Sequence, residues 1–274
     1  MHKKPRVSII ITTKNEEQNI QNCLESIEQQ TYPNIELIVV DNASADKTKE
    51  IAKRYTKKVF NKGPERSAQR NLGVLKSSGE WIFYLDADQI LPPDIIEECV
   101  DTVTSNKELV GLHIPEKIMG EGYWIRVRDF EKQFYDGTII DVARFIKKDV
   151  FQKVDGFDPS LSGPEDWDLD KKIRCFGKIE VIKNRMLHNE KQFNLQKYLA
   201  KKDYYCGSME KYVRKWDEND PDINKQLGWR YRLFEVFVEN GKWVRLLKHP
   251  LLAAGMFALR FLVGITYLRA RFGK

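Results

Sequence analysis

Short apolar runs and amphipathic stretches alternate through roughly the first ninety residues, and this alternation limits the possible folds more than any other feature. The apolar runs are typical of buried strands, and the stretches between them repeat apolar residues at helical spacing. Strands and helices that alternate in this way form parallel βαβ units with right-handed crossovers. The predicted strands are Val7–Ile11, Ile35–Val40, Lys58–Phe60 and Trp81–Leu85. We therefore predict an α/β fold with a Rossmann-like, mostly parallel central sheet flanked by helices.

The fourth predicted strand stops abruptly at two carboxylates one residue apart, Asp86 and Asp88. Ligands of open α/β sheets bind where the strands end. Two hard oxygen donors at such a position suit a divalent cation that carries the phosphates of a substrate. The same pair is also common in solvated turns before a helix, so the spacing alone leaves both interpretations open.

Further polar side chains follow the second and third predicted strands. Asp41 and Asn42 come directly after the second strand, where they are placed to bind a base or a ribose. Ser44 is predicted to be the N-cap of the next helix. Arg66 and Arg70 are four residues apart and so share one helix face, from which they can neutralise phosphate or pack on a base. The sequence therefore predicts a nucleotide site at the carboxyl edge of the sheet.

The pattern becomes less regular after residue 107, although strands and a helix can still be assigned. Strands are predicted within Glu108–Pro115 and Ile139–Val150, a helix from Pro164 to about Phe176, and a last strand over Ile179–Leu187 that ends at His188. The chain looks helical beyond Asn194. The four cysteines form no Cys-x-x-Cys pair, so neither a zinc site nor a disulfide framework is predicted.

The C-terminal region carries the net positive charge of the chain. From Trp229 to Lys274 there are nine Lys or Arg and two Glu, a local charge of +7 against +6 for the whole chain. These basic residues include Arg269, Arg271 and Lys274. The excess of positive charge therefore belongs to this region alone. The same region also contains the aromatic residues Trp229, Trp243 and Tyr267, which are typical membrane-interface anchors.

The segment Leu251–Leu268 has eighteen residues and one charge, Arg260. Eighteen residues are at the lower limit for crossing a bilayer. A central arginine costs about 2.5 to 3.5 kcal/mol on insertion, which favours a helix that lies at the membrane surface with Arg260 turned to water, although a single span is also possible. A helix packed in a protein core has the same composition and is the alternative.

Taken in order, the motifs resemble those of family 2 glycosyltransferases of the GT-A fold, over roughly residues 5 to 190. The resembling segments are Val7–Glu17, Val39–Ser44, Ala68–Gly73, Leu85–Asp88 and Gly163–Leu169. The resemblance implies a GT-A catalytic domain over residues 1–190, with a nucleotide-sugar-binding half, 1–107, and an acceptor-side half, 108–190. Residues 191–274 lie outside the resemblance, and their composition predicts a helical, basic extension that associates with a membrane.

The activity implied by the resemblance is an inverting transfer of one hexosyl or N-acetylhexosaminyl group from a UDP-, GDP- or dTDP-sugar to an acceptor hydroxyl. The nucleotide site would then be lined by Thr12, Glu16, Asp41, Asn42 and Arg70. Asp88, helped by Asp86, would bind Mg²⁺ or Mn²⁺, and His188 would complete the coordination of the metal. The family often has two acidic residues after the second strand, and here the second is Asn42.

The resemblance also assigns the catalytic carboxylates, Asp166 and Glu165. Inversion needs one carboxylate below the anomeric carbon to take the acceptor proton, and Asp166 matches that position in the family motif. Glu165 would hold the acceptor or act on Asp166 as a neighbouring like charge. Acidic residues in the first turn of a helix are favoured by the helix dipole alone, which is the structural alternative.

Three other classes of protein are alternatives, and each would bind different partners. A nucleotidyltransferase-like enzyme usually begins with a Gly- and Arg-rich phosphate loop, which Thr12–Asn15 lacks. A non-catalytic nucleotide-sugar-binding protein on the same fold remains open. The basic C-terminal region lacks the periodic platform of a nucleic-acid module, so no nucleic acid is expected. The expected acceptor is a lipid-linked or nascent glycan, and the expected location is the cytoplasm, peripheral to or monotopic at the inner face of the cell membrane.

Overall fold

The computed structural model describes residues 4–272, with side chains through Arg269, and the chain divides into two compact units. Unit 1 comprises residues 4–115, 142–159 and 165–189, and unit 2 comprises 116–141, 160–164 and 190–272. The Arg271 side chain and Lys274, two of the basic residues counted above, lie outside the described residues.

The secondary structure follows the alternation predicted for the first half of the chain. The strands are β1 Val7–Thr13, β2 Ile35–Asp41, β3 Val59–Asn61, β4 Trp81–Asp86, β5 Gln89–Ile90, β6 Leu109–His113, β7 Glu116–Glu121, β8 Ala143–Lys147, β9 Lys178–Val181 and β10 Met186–Gln192. The helices of the first 190 residues are α1 Ile20–Glu28, α2 Thr48–Tyr55, α3 Arg66–Lys76, α4 Ile95–Ser105, α5 Tyr123–Lys132, α6 Lys148–Lys153 and α7 Glu165–Arg174. The later helices are α8 Leu195–Cys206, α9 Met209–Trp216, α10 Pro221–Leu227, α11 Val236–Val238, α12 Trp243–Lys248 and α13 Pro250–Phe272. A π-helical turn, Tyr231–Glu235, precedes α11, and a 3₁₀ turn, Glu239–Gly241, follows it.

Unit 1 is built on a seven-stranded sheet with the order β3-β2-β1-β4-β8-β6-β9. β1 pairs in parallel with β2 and β4, and β2 pairs in parallel with β3. β8 is antiparallel to both β4 and β6. The predicted mostly parallel sheet is therefore confirmed, with one reversed strand inserted between β4 and β6.

Helices cover both faces of this sheet. Alternate residues of β1 and β4 point to opposite sides, so Ile9 and Phe83 belong to one apolar cluster and Ile10 and Ile82 to the other. The first cluster is completed by residues of α1, α2 and α4, and the second by residues of α3, α6 and α7. A parallel sheet buried on both faces has near-continuous apolar strands, which explains the unbroken runs in the sequence.

The polar residues that end the central strands lie side by side. In the register of the sheet Thr12 lies opposite Asp86, and Thr13 lies opposite Asp41. Gln69 of α3 fixes this edge, because its amide donates to the carbonyls of Thr13 (3.1 Å) and Val40 (2.7 Å). The predicted convergence of strand ends is thus present in the fold.

Two local predictions in unit 1 were wrong. Ser44 does not cap a helix, because α2 begins only at Thr48 and the hydroxyl of Ser44 donates to Asp41 instead. The single strand predicted over Ile179–Leu187 is two strands, β9 and β10, separated by residues 182–185. His188 therefore lies inside β10, where it pairs with Gln89 of β5, and does not follow the end of a strand.

Unit 2 has its own apolar core. This core explains why the segments that form unit 2 differ from the predicted division into 1–190 and 191–274. Val127, Phe130 and Phe134, on and just after α5, pack with Phe237 and Met256 of the C-terminal helices. Residues 116–141 therefore share a core with the chain beyond residue 190, a long-range association that no local pattern reveals.

The environment of Arg260 differs from the sequence-based expectation. Arg260 is not turned to water, since its exposed fraction is only 6%. Its Nη1 lies 3.2 Å from Glu131 Oε1, and its Nη2 donates to the carbonyl of Arg232 at 2.8 Å. Arg260 lies one turn beyond Met256, so the face of α13 that packs on the core also carries the arginine to Glu131.

Glu131 is held ionised by this arrangement. Burial by itself would raise the pKa of Glu131, but the charges of Arg260 and Arg128 and a hydrogen bond from Tyr135 lower it from 4.5 to about 2. The hydroxyl of Tyr135 donates to Glu131 at 2.6 Å, and Arg128 also pairs with Glu190 at 2.9 Å. The buried carboxylate of Glu131 is therefore paired with two arginines and accepts a hydrogen bond from Tyr135.

Replacing Arg260 by leucine should lower the free energy of unfolding by about 3 kcal/mol, because removal of one partner leaves the buried Glu131 with a weaker set of cations. The measurement is urea unfolding at neutral pH. Arg269→Leu, which removes an exposed arginine of the same helix, is the matched control and should be nearly neutral. An Arg260→Leu protein as stable as the wild type would show that this side chain is not in a buried ion pair.

The same variant should change the acid sensitivity of the fold. The pKa of Glu131 is lower in the folded protein than in the unfolded chain, so its ionised form stabilises the fold fully above about pH 4.5. This contribution is lost as the pH falls from 4.5 towards 2. In Arg260→Leu the free energy of unfolding should depend less steeply on pH within that window. Equal slopes in the two proteins would contradict the assigned partnership.

Candidate active site

Arg70 is the centre of the site. It lies on α3 and only 1% of it is exposed, yet it contacts two carboxylates. Its Nη2 lies 3.3 Å from Asp86 Oδ1, at the end of β4, and its Nη1 lies 2.9 Å from Asp166 Oδ1, in the first turn of α7. One guanidinium thus joins the sheet edge to the helix that carries the predicted base.

Arg66, one turn earlier on α3, makes a second link of the same kind. Its Nη1 lies 3.4 Å from Asp86 and its Nη2 lies 3.4 Å from Glu165. Arg66 and Arg70 therefore do share one helix face, as their spacing predicts, and that face points at carboxylates from two different elements.

The pKa values of Asp86 and Glu165, the two carboxylates that Arg66 contacts, are shifted in opposite directions. Burial alone would raise the pKa of Asp86, but the charges of Arg70 and then Arg66 outweigh it and hold the pKa well below its usual range. The pKa of Glu165 is raised, first by burial and then by the charge of Asp166, against the opposing charges of Arg66 and Arg70. Asp86 is thus kept ionised, while protonation of Glu165 is made easier.

Aromatic rings hold the Arg70 guanidinium in place. The guanidinium carbon lies 4.5 Å from the ring centre of Tyr84 and 5.1 Å from that of Phe157. The Tyr84 hydroxyl donates to the carbonyl of Ala143 at 2.5 Å and also lies 3.2 Å from Asp166 Oδ1. Neither ring was predicted from the sequence to belong to the site. The available signal was that Tyr84 lies two residues before Asp86 and so on the same face of β4.

The loops after β1 and β2 are tied to each other. The amide of Asn15 donates to the Ser44 hydroxyl at 2.8 Å, and the amide of Ala45 donates to Asn15 Oδ1 at 2.9 Å. Ser44 in turn donates to both oxygens of Asp41, from its hydroxyl at 2.5 Å and its amide at 2.9 Å. Asp41 is fully buried, and its carboxylate holds Ser44, which contacts the loop after β1 through Asn15.

The remaining residues predicted for the nucleotide site lie at the same strand ends. The Thr12 hydroxyl donates to Asp86 Oδ1 at 3.0 Å, and the amide of Glu16 donates to the Thr48 hydroxyl at 2.7 Å. The Asn42 side chain donates to the carbonyl of Pro64 at 2.7 Å. A side chain at Gly63 would overlap the Asn42 amide, because a Cβ there would lie 2.0 Å from its Oδ1. A larger residue at 63 would therefore displace the Asn42 amide from Pro64.

Asp88 and His188 form a separate pair. The antiparallel pairing of β5 and β10 brings them together, and His188 Nε2 lies 3.2 Å from Asp88 Oδ2. The carbonyl of Asp88 accepts from the amide of Asn189 at 3.0 Å. Asp88 Oδ1 is buried without a hydrogen-bond partner among the described residues, which leaves one carboxylate oxygen able to bind a cation.

This pair supplies only part of a metal site. Within residues 4–272 no three Asp, Glu, His or Cys side chains are gathered closely enough to hold a metal ion by themselves. Asp86, the other carboxylate of the Asp-x-Asp motif, is engaged by Thr12 and the two arginines. A cation at Asp88 and His188 would therefore need further oxygen ligands from a substrate or from water.

Comparison with known proteins identifies the family. The sequence model of glycosyl transferase family 2 matches residues 8–156, which is more than half of the chain. The chain is 38% identical over 117 residues to the glycosyltransferase AglE of Haloferax volcanii, a match that covers 39% of this chain and 38% of AglE. The matched stretches cover between 33% and 61% of three curated relatives.

Solved structures show the same fold at low sequence identity. The mannosyltransferase PcManGT of Pyrobaculum calidifontis, in complex with GDP-Man and Mn²⁺, aligns with a TM-score of 0.70 at 18% identity, covering 100% of this chain and 89% of PcManGT. S. aureus TarS 1–349, in complex with UDP-GlcNAc, aligns with a TM-score of 0.58 at 17% identity, covering 98% and 92%. The chain therefore belongs to glycosyl transferase family 2, and its fold is GT-A.

Proposed function

We propose that this protein is an inverting glycosyltransferase that moves one sugar from a nucleoside-diphosphate sugar to an acceptor hydroxyl. The observation that carries the proposal is the bridge that Arg70 makes between Asp86 and Asp166. It puts a carboxylate suited to proton transfer beside the strand end where α/β sheets bind nucleotides. Membership in glycosyl transferase family 2 supports the same reaction.

The donor is proposed to lie along the ends of β1, β2 and β4. The residues assigned to it are Thr12, Glu16, Asp41, Asn42, Arg66, Arg70 and Asp86. The paired guanidinium groups of Arg66 and Arg70 match the anionic oxygens of a diphosphate. The structural neighbours hold GDP-Man and UDP-GlcNAc, which supports a UDP-, GDP- or dTDP-linked hexose or N-acetylhexosamine as donor.

Asp88 and His188 are the proposed protein ligands of Mg²⁺ or Mn²⁺. The unpartnered, buried Oδ1 of Asp88 and the imidazole beside it are a donor set that either cation accepts. When bound, the cation neutralises charge on the departing diphosphate. Asp86 is proposed as a further oxygen donor, in competition with the two arginines that pair with its carboxylate.

Asp166 is the proposed general base. Its Oδ1 is held by Arg70 and lies close to the hydroxyl of Tyr84, so Oδ2 is assigned to take the proton of the acceptor hydroxyl. The acceptor oxygen then forms a bond to the anomeric carbon on the face opposite the diphosphate, which leaves with the electron pair of the broken bond. Glu165, whose pKa is raised, is suited to hold the acceptor by a hydrogen bond.

The acceptor is proposed to be a lipid-linked or nascent glycan at the cytosolic face of a membrane, in polysaccharide, glycolipid or glycoprotein assembly. One helix of the described chain, over Pro250–Arg269, is long and apolar enough to cross a bilayer, and 28% of that window is buried. Because Arg260 and one face of α13 pack within unit 2, we favour association with the membrane surface over a span.

The product released from the donor tests this function against its competitors. The protein is incubated with a UDP-, GDP- or dTDP-sugar, Mn²⁺ and a lipid-linked acceptor, and the nucleotide products are separated. A glycosyltransferase releases nucleoside diphosphate in step with transfer, whereas a nucleotidyltransferase-like enzyme forms or consumes pyrophosphate. A non-catalytic nucleotide-sugar-binding protein is stabilised against heat by the donor but releases no product.

Asp166→Asn should reduce transfer about 10³-fold, because the amide cannot accept the proton, while nucleotide affinity changes little. The measurements are nucleoside diphosphate release and calorimetric titration with the nucleotide. Asp155→Asn is the matched control, since it removes an exposed carboxylate at a left-handed position that asparagine also adopts. Turnover above a tenth of the wild-type value in Asp166→Asn would reject the assigned role.

Asp88→Asn and His188→Ala should each weaken Mn²⁺ binding in the presence of nucleoside diphosphate on the order of 100-fold, since each removes a ligand. Free Mn²⁺ is measured by electron paramagnetic resonance, independently of turnover. His249→Ala, at an exposed histidine of unit 2, is the control and should bind Mn²⁺ like the wild type. An unchanged affinity in His188→Ala would remove that histidine from the site.

A further inference from the structure

Unit 2 contains a cleft of about 650 Å³ between the β7–α5 segment and the chain from α12 to the start of α13. Its rim carries three exposed cations, Lys117, Arg126 and Arg245. The one carboxylate in the lining, Asp129, already accepts from the amide of Ile118 at 2.9 Å and from Gln133 at 3.3 Å. The cleft is therefore positively charged, and its one carboxylate is hydrogen-bonded to other residues of the lining.

The floor of the same cleft is apolar. Ile118, Ile125 and Phe130 are buried there and Leu252 is half-buried. The ring of His249, also in the lining, packs edge-on against Phe130 with centroids 5.7 Å apart. A cationic rim above an apolar floor suits an amphiphile with an anionic head, and it suits a fully polar anion much less well.

Large apolar side chains are exposed on both sides of the cleft. Met119, Tyr123 and Trp124 lie on the β7–α5 side, and Leu247 (71% exposed) and Leu251 (77% exposed) lie on the helical side. The Tyr123 hydroxyl donates to the carbonyl of Leu251 at 2.6 Å, which ties the two sides together. Exposed aromatic residues beside basic ones are characteristic of protein surfaces at the headgroup level of a bilayer.

The apolar surface continues along α13. Its exposed residues Leu251, Ala254, Ala258, Phe261 and Leu268 recur at helical spacing and form one stripe. At 1.5 Å per residue the stripe is about 25 Å long. The opposite face of α13 carries Arg260 and the core residues, so this outward face contains no charge from its first to its last member.

We propose that the cleft and the stripe form one docking surface for an anionic phospholipid membrane. Lys117, Arg126 and Arg245 bind the phosphate of one lipid headgroup in the cleft, and the stripe of α13 lies beside it in the headgroup region, facing the acyl chains. The charge of the rim and the apolar floor select a phospholipid as occupant. This inference rests on the membrane association proposed above, but its test needs neither donor nor acceptor, so a failure of transfer leaves it standing.

Flotation of the full chain with vesicles tests the headgroup site. We expect strong binding to vesicles that contain phosphatidylglycerol, weak binding to pure phosphatidylcholine, and release from the anionic vesicles as salt is raised. The variant Lys117→Gln/Arg126→Gln/Arg245→Gln should bind the anionic vesicles about a hundredfold less well, since each basic residue near the surface contributes about fivefold.

The matched control removes three exposed lysines of unit 1, as Lys53→Gln/Lys57→Gln/Lys107→Gln. It makes the same change in net charge and should keep nearly all of the affinity. Thermal unfolding of both variants checks that neither is misfolded. Equal losses in the two triple variants would mean that only net charge matters, and an unchanged affinity in the cleft variant would also overturn the headgroup site.

A second variant, Leu251→Gln/Phe261→Gln, tests the stripe. It should lower binding to both kinds of vesicle and abolish the residual binding to phosphatidylcholine, because less apolar surface enters the bilayer. Size-exclusion chromatography without lipid covers the competing occupant, a second copy of the chain. If the wild type is a dimer, this variant is a monomer and vesicle binding is unchanged, then the stripe is a subunit interface and the docking surface is wrong.

Discussion

A buried guanidinium shared by two carboxylates is the interaction on which the site depends. Withdrawing Arg70 from water is costly, and it is tolerated only because Asp86, Asp166 and two aromatic rings replace the lost hydration. The same contacts fix the first turn of α7 relative to the end of β4, which are eighty residues apart in the chain. In the proposed donor complex, the diphosphate would compete with the carboxylates for the arginines, which would couple donor binding to the release of Asp166 Oδ1 by charge.

Much of unit 1 follows from local patterns. β1, β2 and β4 are apolar because the sheet is buried on both faces, and they end in polar residues at the edge where α/β sheets bind their ligands. These two facts suffice to place Thr12, Asp41 and Asp86 at one edge, and the register confirms it. The reversed strand β8 and the split between β9 and β10 were beyond such reasoning, since pairing direction depends on partners distant in sequence.

The partners of the charged residues were the least predictable part. Arg70 was expected to bind phosphate or a base, and nothing near it in sequence indicates Asp166 or the ring of Phe157. Ser44 had the sequence of a helix cap, yet Asp41 captures its hydroxyl and the helix starts four residues later. In each case a long-range or competing hydrogen bond outweighs the local preference, and only the folded chain shows which one is made.

The inward position of Arg260 changes what α13 is able to do. With Arg260 turned to water the helix would have carried a charge on its outer face, and its apolar residues would have been left to face unit 2. The ion pair with Glu131 reverses this arrangement, because it takes the charge into the core and leaves an uncharged stripe outside. A helix with one face committed to protein packing is poorly suited to cross a bilayer alone, but its free face is well suited to lie in the headgroup region. The residue that argued against a membrane span is thus also what makes α13 an apolar surface.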